Sequence, residues 1–285
     1  MPTVELPQGR VHFRDEGEGP VVVLVHGVLV NGLLWRKVVP ELTGGARVVV
    51  PELPLGAHPE PLHADADLSP TGLAQLVADL LDALDLDDVT LVGNDTGGAI
   101  CQIVAANHPA RVGRLVLTSC DMEENFPPKA FAPLIRLAQL PGVLPAIGQL
   151  MRFGVVRRSP AAFGWLAKHG IPDEVVDAWL APGRDARIRR DLRKVLAGAG
   201  PAHTIRAAEA LRRSFTGPIL LPWADDDRFM PLDLARRFAA SMPDARLELI
   251  ADSHTFTPED QPEALARHIA AFAGATSASA ERAIA

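Results

Sequence analysis

The stretch Gly93-Asn94-Asp95-Thr96-Gly97-Gly98 puts one carboxylate at the sharpest point of a chain reversal. An apolar, β-like run ("VTLV") stops at Gly93, and a helical pattern ("AICQIVAAN") begins after Gly98. A nucleophile between a strand and a helix needs small neighbours, because its backbone is strained and the adjacent chain crowds it. Gly93, Gly97 and Gly98 supply that room around Asp95. The amide of Thr96 then points at the reacting centre from a helix N-terminus. The plainer alternative is an aspartate N-cap, with glycines serving only close helix–sheet packing.

Such a turn needs a sheet beneath it. Short β-branched runs recur at 21–27, 46–53, 88–93, 114–120, 218–224 and 245–252. They are apolar on both faces, as strands of a covered parallel sheet must be. Helical patterns separate them. Ser69 and Pro70 form an N-cap and first-turn proline, after which Leu73, Leu76, Val77, Leu80, Leu81 and Leu84 mark one apolar face. Pro231 to Met242 and Pro262 to Phe272 read the same way. The alternation predicts an α/β fold with a mostly parallel, doubly wound sheet.

Between Cys120 and Pro218 the alternation fails, leaving only helical stretches broken by prolines. We read this as an all-helical lid inserted over the carboxyl ends of the strands, where it would exclude water and shape a pocket. The expected division is a core of 1–121 and 216–274, a helical cap of 122–215 and a flexible tail of 275–285.

The turn around Asp95 resembles the nucleophile elbow of the α/β-hydrolase superfamily, with Asp in place of the usual Ser. The first strand, "VVVLVHGVLVNGLLWRKVVPEL", is similar to the superfamily's His-Gly segment, with Trp35 and Pro40 at the spacings of haloalkane dehalogenases. By that resemblance the oxyanion hole is made by the Val28 and Thr96 amides, and His26 is structural. In "PWADDDRFMP" the resemblance puts the catalytic acid at Asp227, four residues after Trp223 and four before Pro231. A solvated acidic loop is the plainer reading of Asp225, Asp226 and Asp227. Some relatives take the acid from the end of the preceding core strand, which here offers Asp121 or Glu123. The base implied after the last strand is His254, although relatives carry it seven residues before the helix-opening proline, and that count from Pro262 falls on Thr255. Either the loop brings His254 into place or Thr255 occupies the base position. His108, His268, His169 and His203 are poorer candidates.

The resemblance to haloalkane dehalogenases and epoxide hydrolases implies a cofactor-independent hydrolase in which Asp95 attacks a small apolar electrophile to form an alkyl ester. His254 would then activate water to cleave it. The groups expected around the departing atom differ. The positions of the halide-holding Trp and Asn carry Thr96 and Val28, and the chain has no tyrosine to protonate an epoxide oxygen. Trp165, Trp179, His169 and His203 of the lid are substitutes or, more plainly, packing and surface residues. Without a base, the alternative is a hydrolase-fold ligand-binding or non-hydrolytic protein. A dinucleotide-dependent oxidoreductase fits poorly, because no G-x-G-x-x-G turn follows the first strand.

Composition sets the outer bounds. With 48% hydrophobic residues in 285, the chain can bury one full core and an insertion. Its net charge of −7 is spread along the sequence, which argues against a nucleic-acid partner. Cys101 and Cys120 lie in apolar segments, as in a reducing compartment, rather than in a disulfide framework or metal site. The N-terminus has neither the basic nor the apolar region of a signal peptide, and no apolar run reaches spanning length. The expectation is a cytoplasmic protein with a small apolar partner and no membrane partner, whether a monomer or a homo-oligomer.

Overall fold

Val22, Val23, Leu24 and Val25 are all fully buried, and successive side chains enter opposite layers of the protein. That requires a strand covered on both faces. In the computed structural model, which describes residues 1–275, this strand lies inside a single eight-stranded sheet. The strands are β1 (Thr3–Leu6), β2 (Gly9–Glu16), β3 (Val21–Val25), β4 (Arg47–Pro51), β5 (Val89–Asp95), β6 (Val112–Cys120), β7 (Ile219–Ala224) and β8 (Ala245–Ile250). Their spatial order is β1-β2-β4-β3-β5-β6-β7-β8, with β3 to β8 mutually parallel and β1 and β2 antiparallel.

The helices are α1 (Val39–Leu42), α2 (Pro70–Ala83), α3 (Thr96–Asn107), α4 (Ala132–Ala138), α5 (Val143–Leu150), α6 (Gly154–Arg157), α7 (Asp173–Leu180), α8 (Ala186–Gly198), α9 (Pro201–Ser214), α10 (Leu232–Ser241), α11 (Thr257–Asp260) and α12 (Pro262–Ala273). The α/β, doubly wound architecture read from the sequence is the one observed. On one face of the sheet, Val23, Val25, Leu91 and Leu117 pack with Leu73 and Leu80 of α2, Val104 of α3 and Phe238 of α10. On the other, Val22, Leu24, Val92 and Val116 pack with Trp35 and with Leu265 and Ile269 of α12. The Ser69 hydroxyl accepts the Gly72 amide at 3.2 Å, capping α2 as its sequence implies.

Two features depart from expectation. The hairpin β1–β2 carries alternating polar residues rather than an apolar run, and it closes one edge of the sheet by antiparallel pairing with β4. At the other edge β8 is not covered on both faces; Leu249 is 52% exposed.

Among the described residues, the segment between β6 and β7 holds helices and no strand. It packs into both layers, with Val195, Ala207 and Leu211 joining one core cluster and Phe163 and Trp179 the other. α8 is also bonded to the loop after β4. Buried Asp191 accepts the Leu62 amide at 3.0 Å and faces His58 Nε2 at 3.3 Å, while Arg190 donates to the Leu62 carbonyl and Lys194 to those of Ala64 and Ala66. Most of the expected tail, 276–285, lies outside the described residues.

Candidate active site

The chain crosses from β3 outward to β4 and then back to β5 on the opposite side, so the strand order reverses between β3 and β5. Sites of open α/β sheets form at the carboxyl ends of strands flanking such a reversal. Val28 follows β3, and Asp95 ends β5.

Asp95 has φ 54° and ψ −132°, a conformation costly for a residue with a Cβ. Its side chain makes no capping hydrogen bond along α3. Instead the backbone amides of Thr96 and Val28 face the carboxylate and favour its charged form. The plainer N-cap reading is therefore not what the structure contains. Small neighbours make the approach feasible: a Cβ on Gly98 would collide with the Cys120 side chain, and one on Gly97 with the Val25 carbonyl. Gly27 is tighter still, because a Cβ there would fall on the Asp95 carboxylate itself.

The loop carrying Val28 is held by His26. Its fully buried ring bonds the Gly27 carbonyl through Nδ1 (2.9 Å) and accepts the Leu53 amide at Nε2 (2.9 Å). Nδ1 therefore carries the proton. Burial lowers its pKa to about 4, so the ring is neutral. His26 braces the turn and is occupied at both nitrogens.

Three carboxyls crowd the site. Burial raises Asp95 to about pKa 7; the Thr96 amide counters this, and the charge of Asp227 adds to it. Asp121, at the end of β6, is 1% exposed and held well above the ordinary carboxylate range by burial and by Asp95. Its Oδ2 accepts the Thr96 hydroxyl at 3.1 Å, and its Oδ1 has no partner. Burial also raises Asp227, against the pull of the Met230 and Phe229 amides. Glu123, the other residue considered as an acid, is instead ion-paired with Arg212.

Asp227 Oδ1 accepts the Phe229 and Met230 amides and the Thr255 hydroxyl, each at 2.9 Å. Thr255, not His254, is the side chain presented to Asp227. The His254 ring is buried, yet neither nitrogen has a hydrogen-bond partner, and its nearest charged neighbour is Asp226 at 3.7 Å. Of the two arrangements open in the sequence, the structure shows Thr255 rather than His254 at Asp227.

The loop's register has physical causes. Asp260 accepts the His254 amide (3.0 Å) and the Lys168 and His169 amides (2.9 Å each). The Asn94 side chain donates to the Thr255 carbonyl at 2.7 Å, and the Phe256 amide donates to Leu166 at 2.6 Å. Thr257 and Thr118 share a hydroxyl bond of 2.7 Å. Fully buried Glu259 is gripped by Arg36 and by Lys37 (3.0 Å). With every position around Thr255 fastened, moving His254 by one residue would break several bonds at once. Asn94, Asp260 and Glu259 were not singled out from the sequence, and their only signal there is polarity inside buried segments.

Beside Val28 and Thr96 lies a narrow apolar cavity of about 40 Å³, lined by these two and by Ile100, Phe126, Ile135 and Val195 among others. The substitute ligands considered in the lid are elsewhere. Trp179 is buried against Phe163 and Phe256, Trp165 is 42% exposed under Arg228, His169 pairs with Asp252, and His203 faces Thr71.

Residues 20–145 match the family model described as alpha/beta hydrolase fold. An uncharacterized protein of Mycobacterium tuberculosis is 30% identical over 261 residues, covering 88% of this chain and 74% of that protein. Haloalkane dehalogenase 2 of the same organism is 29% identical over 269 residues, covering 92% and 91%. The crystal structure of a haloalkane dehalogenase from Bradyrhizobium elkani superposes with a TM-score of 0.77 at 21% identity, over 95% of this chain and 96% of that one. With the shared sequence, the eight-stranded sheet and the turn at Asp95, the chain belongs to the α/β-hydrolase fold family.

Proposed function

We propose that Asp95 is the nucleophile of a hydrolase-like site that captures a small apolar electrophile as an alkyl ester, and that Thr255 stands where a base would be needed to release it. The observation that carries this reading is the Asp95 carboxylate set in a strained turn facing the Thr96 and Val28 amides, while the Thr255 hydroxyl occupies Asp227. A haloalkane is the substrate class that the dehalogenase relative favours.

In the first step an Asp95 oxygen attacks the carbon bearing the halogen. A C–O bond forms, the C–halogen bond breaks, and the halide leaves with the bonding pair. Hydrolysis then requires water to add to the Asp95 carboxyl carbon while a base takes its proton. The Val28 and Thr96 amides would hold the resulting oxyanion, and its collapse would release the alcohol and restore the carboxylate. A threonine hydroxyl bonded to a carboxylate is a poor proton acceptor, so this second step is slow.

The second reading is a hydrolase-fold binding protein that does no chemistry. The nearly wholly apolar cavity wall favours it, since the one hydroxyl that lines the cavity among the described residues, that of Thr96, is already donated to Asp121. Intact-protein mass spectrometry after incubation with a panel of haloalkanes and epoxides separates the two. A persistent adduct that is absent from Asp95→Asn supports ester capture. Free turnover would show that a base acts after all, and neither adduct nor turnover would leave the binding reading.

A further inference from the structure

The large apolar side chains that this fold leaves in solvent are concentrated rather than scattered. Ten are exposed among the described residues, and Leu137, Leu140, Leu150, Phe153 and Val155 fall in one short stretch along α4, α5 and α6. Phe153 is 64% exposed and Val155 85%. Isolated exposed apolar residues are ordinary, but a run of this kind marks an interaction surface.

The charge of the same stretch identifies what covers it. From Asn125 to Pro172 there is no Asp or Glu, while Lys129, Arg136, Arg152, Arg157, Arg158 and Lys168 are all present, in a chain of net charge −7. Arg157 and Arg158 are engaged by Asp173 and Asp177 of α7, and Lys168 by Asp226 and Asp252. Arg136 and Arg152 have no carboxylate partner among the described residues; Arg152 meets only the neutral Gln149. Arg152 stands within the exposed apolar run and Arg136 directly before it.

An apolar surface edged by free cations is complementary to anionic lipid, whose headgroups take the cations while the acyl boundary takes the apolar side chains. A second copy of the chain fits less well, since a self-complementary contact would bring Arg136 and Arg152 against their own counterparts. The two helical segments, Lys129–Ala138 and Val143–Leu150, meet at 118°, and among the described residues no single helix is long and apolar enough to cross a membrane, so the contact we consider is a surface one. This peripheral mode differs from the spanning segment whose absence underlay the sequence expectation of no membrane partner. The placement also has a use, because Ile135 of α4 lines the cavity beside Val28 and Thr96.

We propose that α4, α5 and α6 dock on an anionic lipid surface, with Leu137, Leu140, Leu150, Phe153 and Val155 at the acyl boundary and Arg136 and Arg152 at the headgroups. The test is co-sedimentation of the full chain with phosphatidylcholine vesicles, with and without phosphatidylglycerol. Binding is expected only with the anionic lipid, weakening as salt is raised. Arg136→Glu with Arg152→Glu should lower the partition coefficient at least ~20-fold, and Phe153→Ser with Val155→Ser should also weaken it. Circular dichroism melting checks that both variants fold. No binding to anionic vesicles, or binding that neither variant weakens, overturns the proposal. So does self-association in light scattering, or capture by an acidic polypeptide in place of vesicles, if these variants abolish it and vesicle binding is absent.

Discussion

The Thr255 hydroxyl donates to Asp227 Oδ1 over 2.9 Å, while the His254 ring, one residue earlier, has no hydrogen bond at either nitrogen. A one-residue difference thus separates an imidazole from the carboxylate that would orient it. Thr255→His should put a base on Asp227 and shorten the life of an Asp95 ester by at least ~100-fold, the scale of general-base assistance. His254→Ala should leave that lifetime unchanged. Time-resolved intact mass spectrometry of the adduct checks both.

Asp95 must be ionised to attack, and its pKa is about 7 rather than the ordinary 3.8. Adduct formation should therefore rise with pH through a midpoint near that value. A single-turnover rate that is flat between pH 5 and pH 9 would remove Asp95 as the nucleophile (about two units on each side of the midpoint spans the titration).

The raised pKa also bears on stability. The folded protein keeps the Asp95 proton more tightly than the unfolded chain, so this group's contribution is present below 3.8 and is lost as pH rises through about 7. Asp95→Asn cannot ionise, and should stabilise the fold by up to roughly 4 kcal/mol at alkaline pH and little at acid pH. Urea unfolding at several pH values measures the difference.

His26 runs in the opposite sense. Its folded pKa is about 4 against 6.5, so unfolding takes up a proton between those values, and stability falls as pH drops through that window. The effect is of order 3 kcal/mol, and His26→Gln should flatten that limb of the pH profile while lowering stability at neutral pH.

Gly27→Ala puts a methyl group on the Asp95 carboxylate. We expect a loss of about 2 kcal/mol in stability, as for overpacking of a tight site, together with loss of ester formation. A variant that melts like the parent and still forms the adduct would show that the turn relaxes freely.

The strands β3 to β8, the cap of α2 and the turn at Asp95 were legible because each is a local pattern: an apolar run, Ser69 before Pro70, glycines around one acid. β1 and β2 were not, since an edge hairpin with charged residues such as Glu5 and Arg10 has no apolar run to announce it. The histidine problem was visible in the count from Pro262, but not which way the loop resolves it. That depends on Asp260 reaching Lys168 and His169, and on Glu259 reaching Arg36, contacts between residues far apart in the chain. Local pattern cannot encode partners chosen by the tertiary fold.

The two walls of the cavity are fastened unequally. α8, which contributes Val195, is bolted to the loop after β4 through Asp191, Arg190 and Lys194. α4, which contributes Ile135, has no side-chain hydrogen bond to the sheet or its loops among the described residues. Opening by the α4 side breaks apolar contact alone, whereas opening by α8 breaks buried polar bonds. Traffic in and out of the space beside Val28 and Thr96 should therefore pass on the α4 side, with α8 as the fixed jamb of the door.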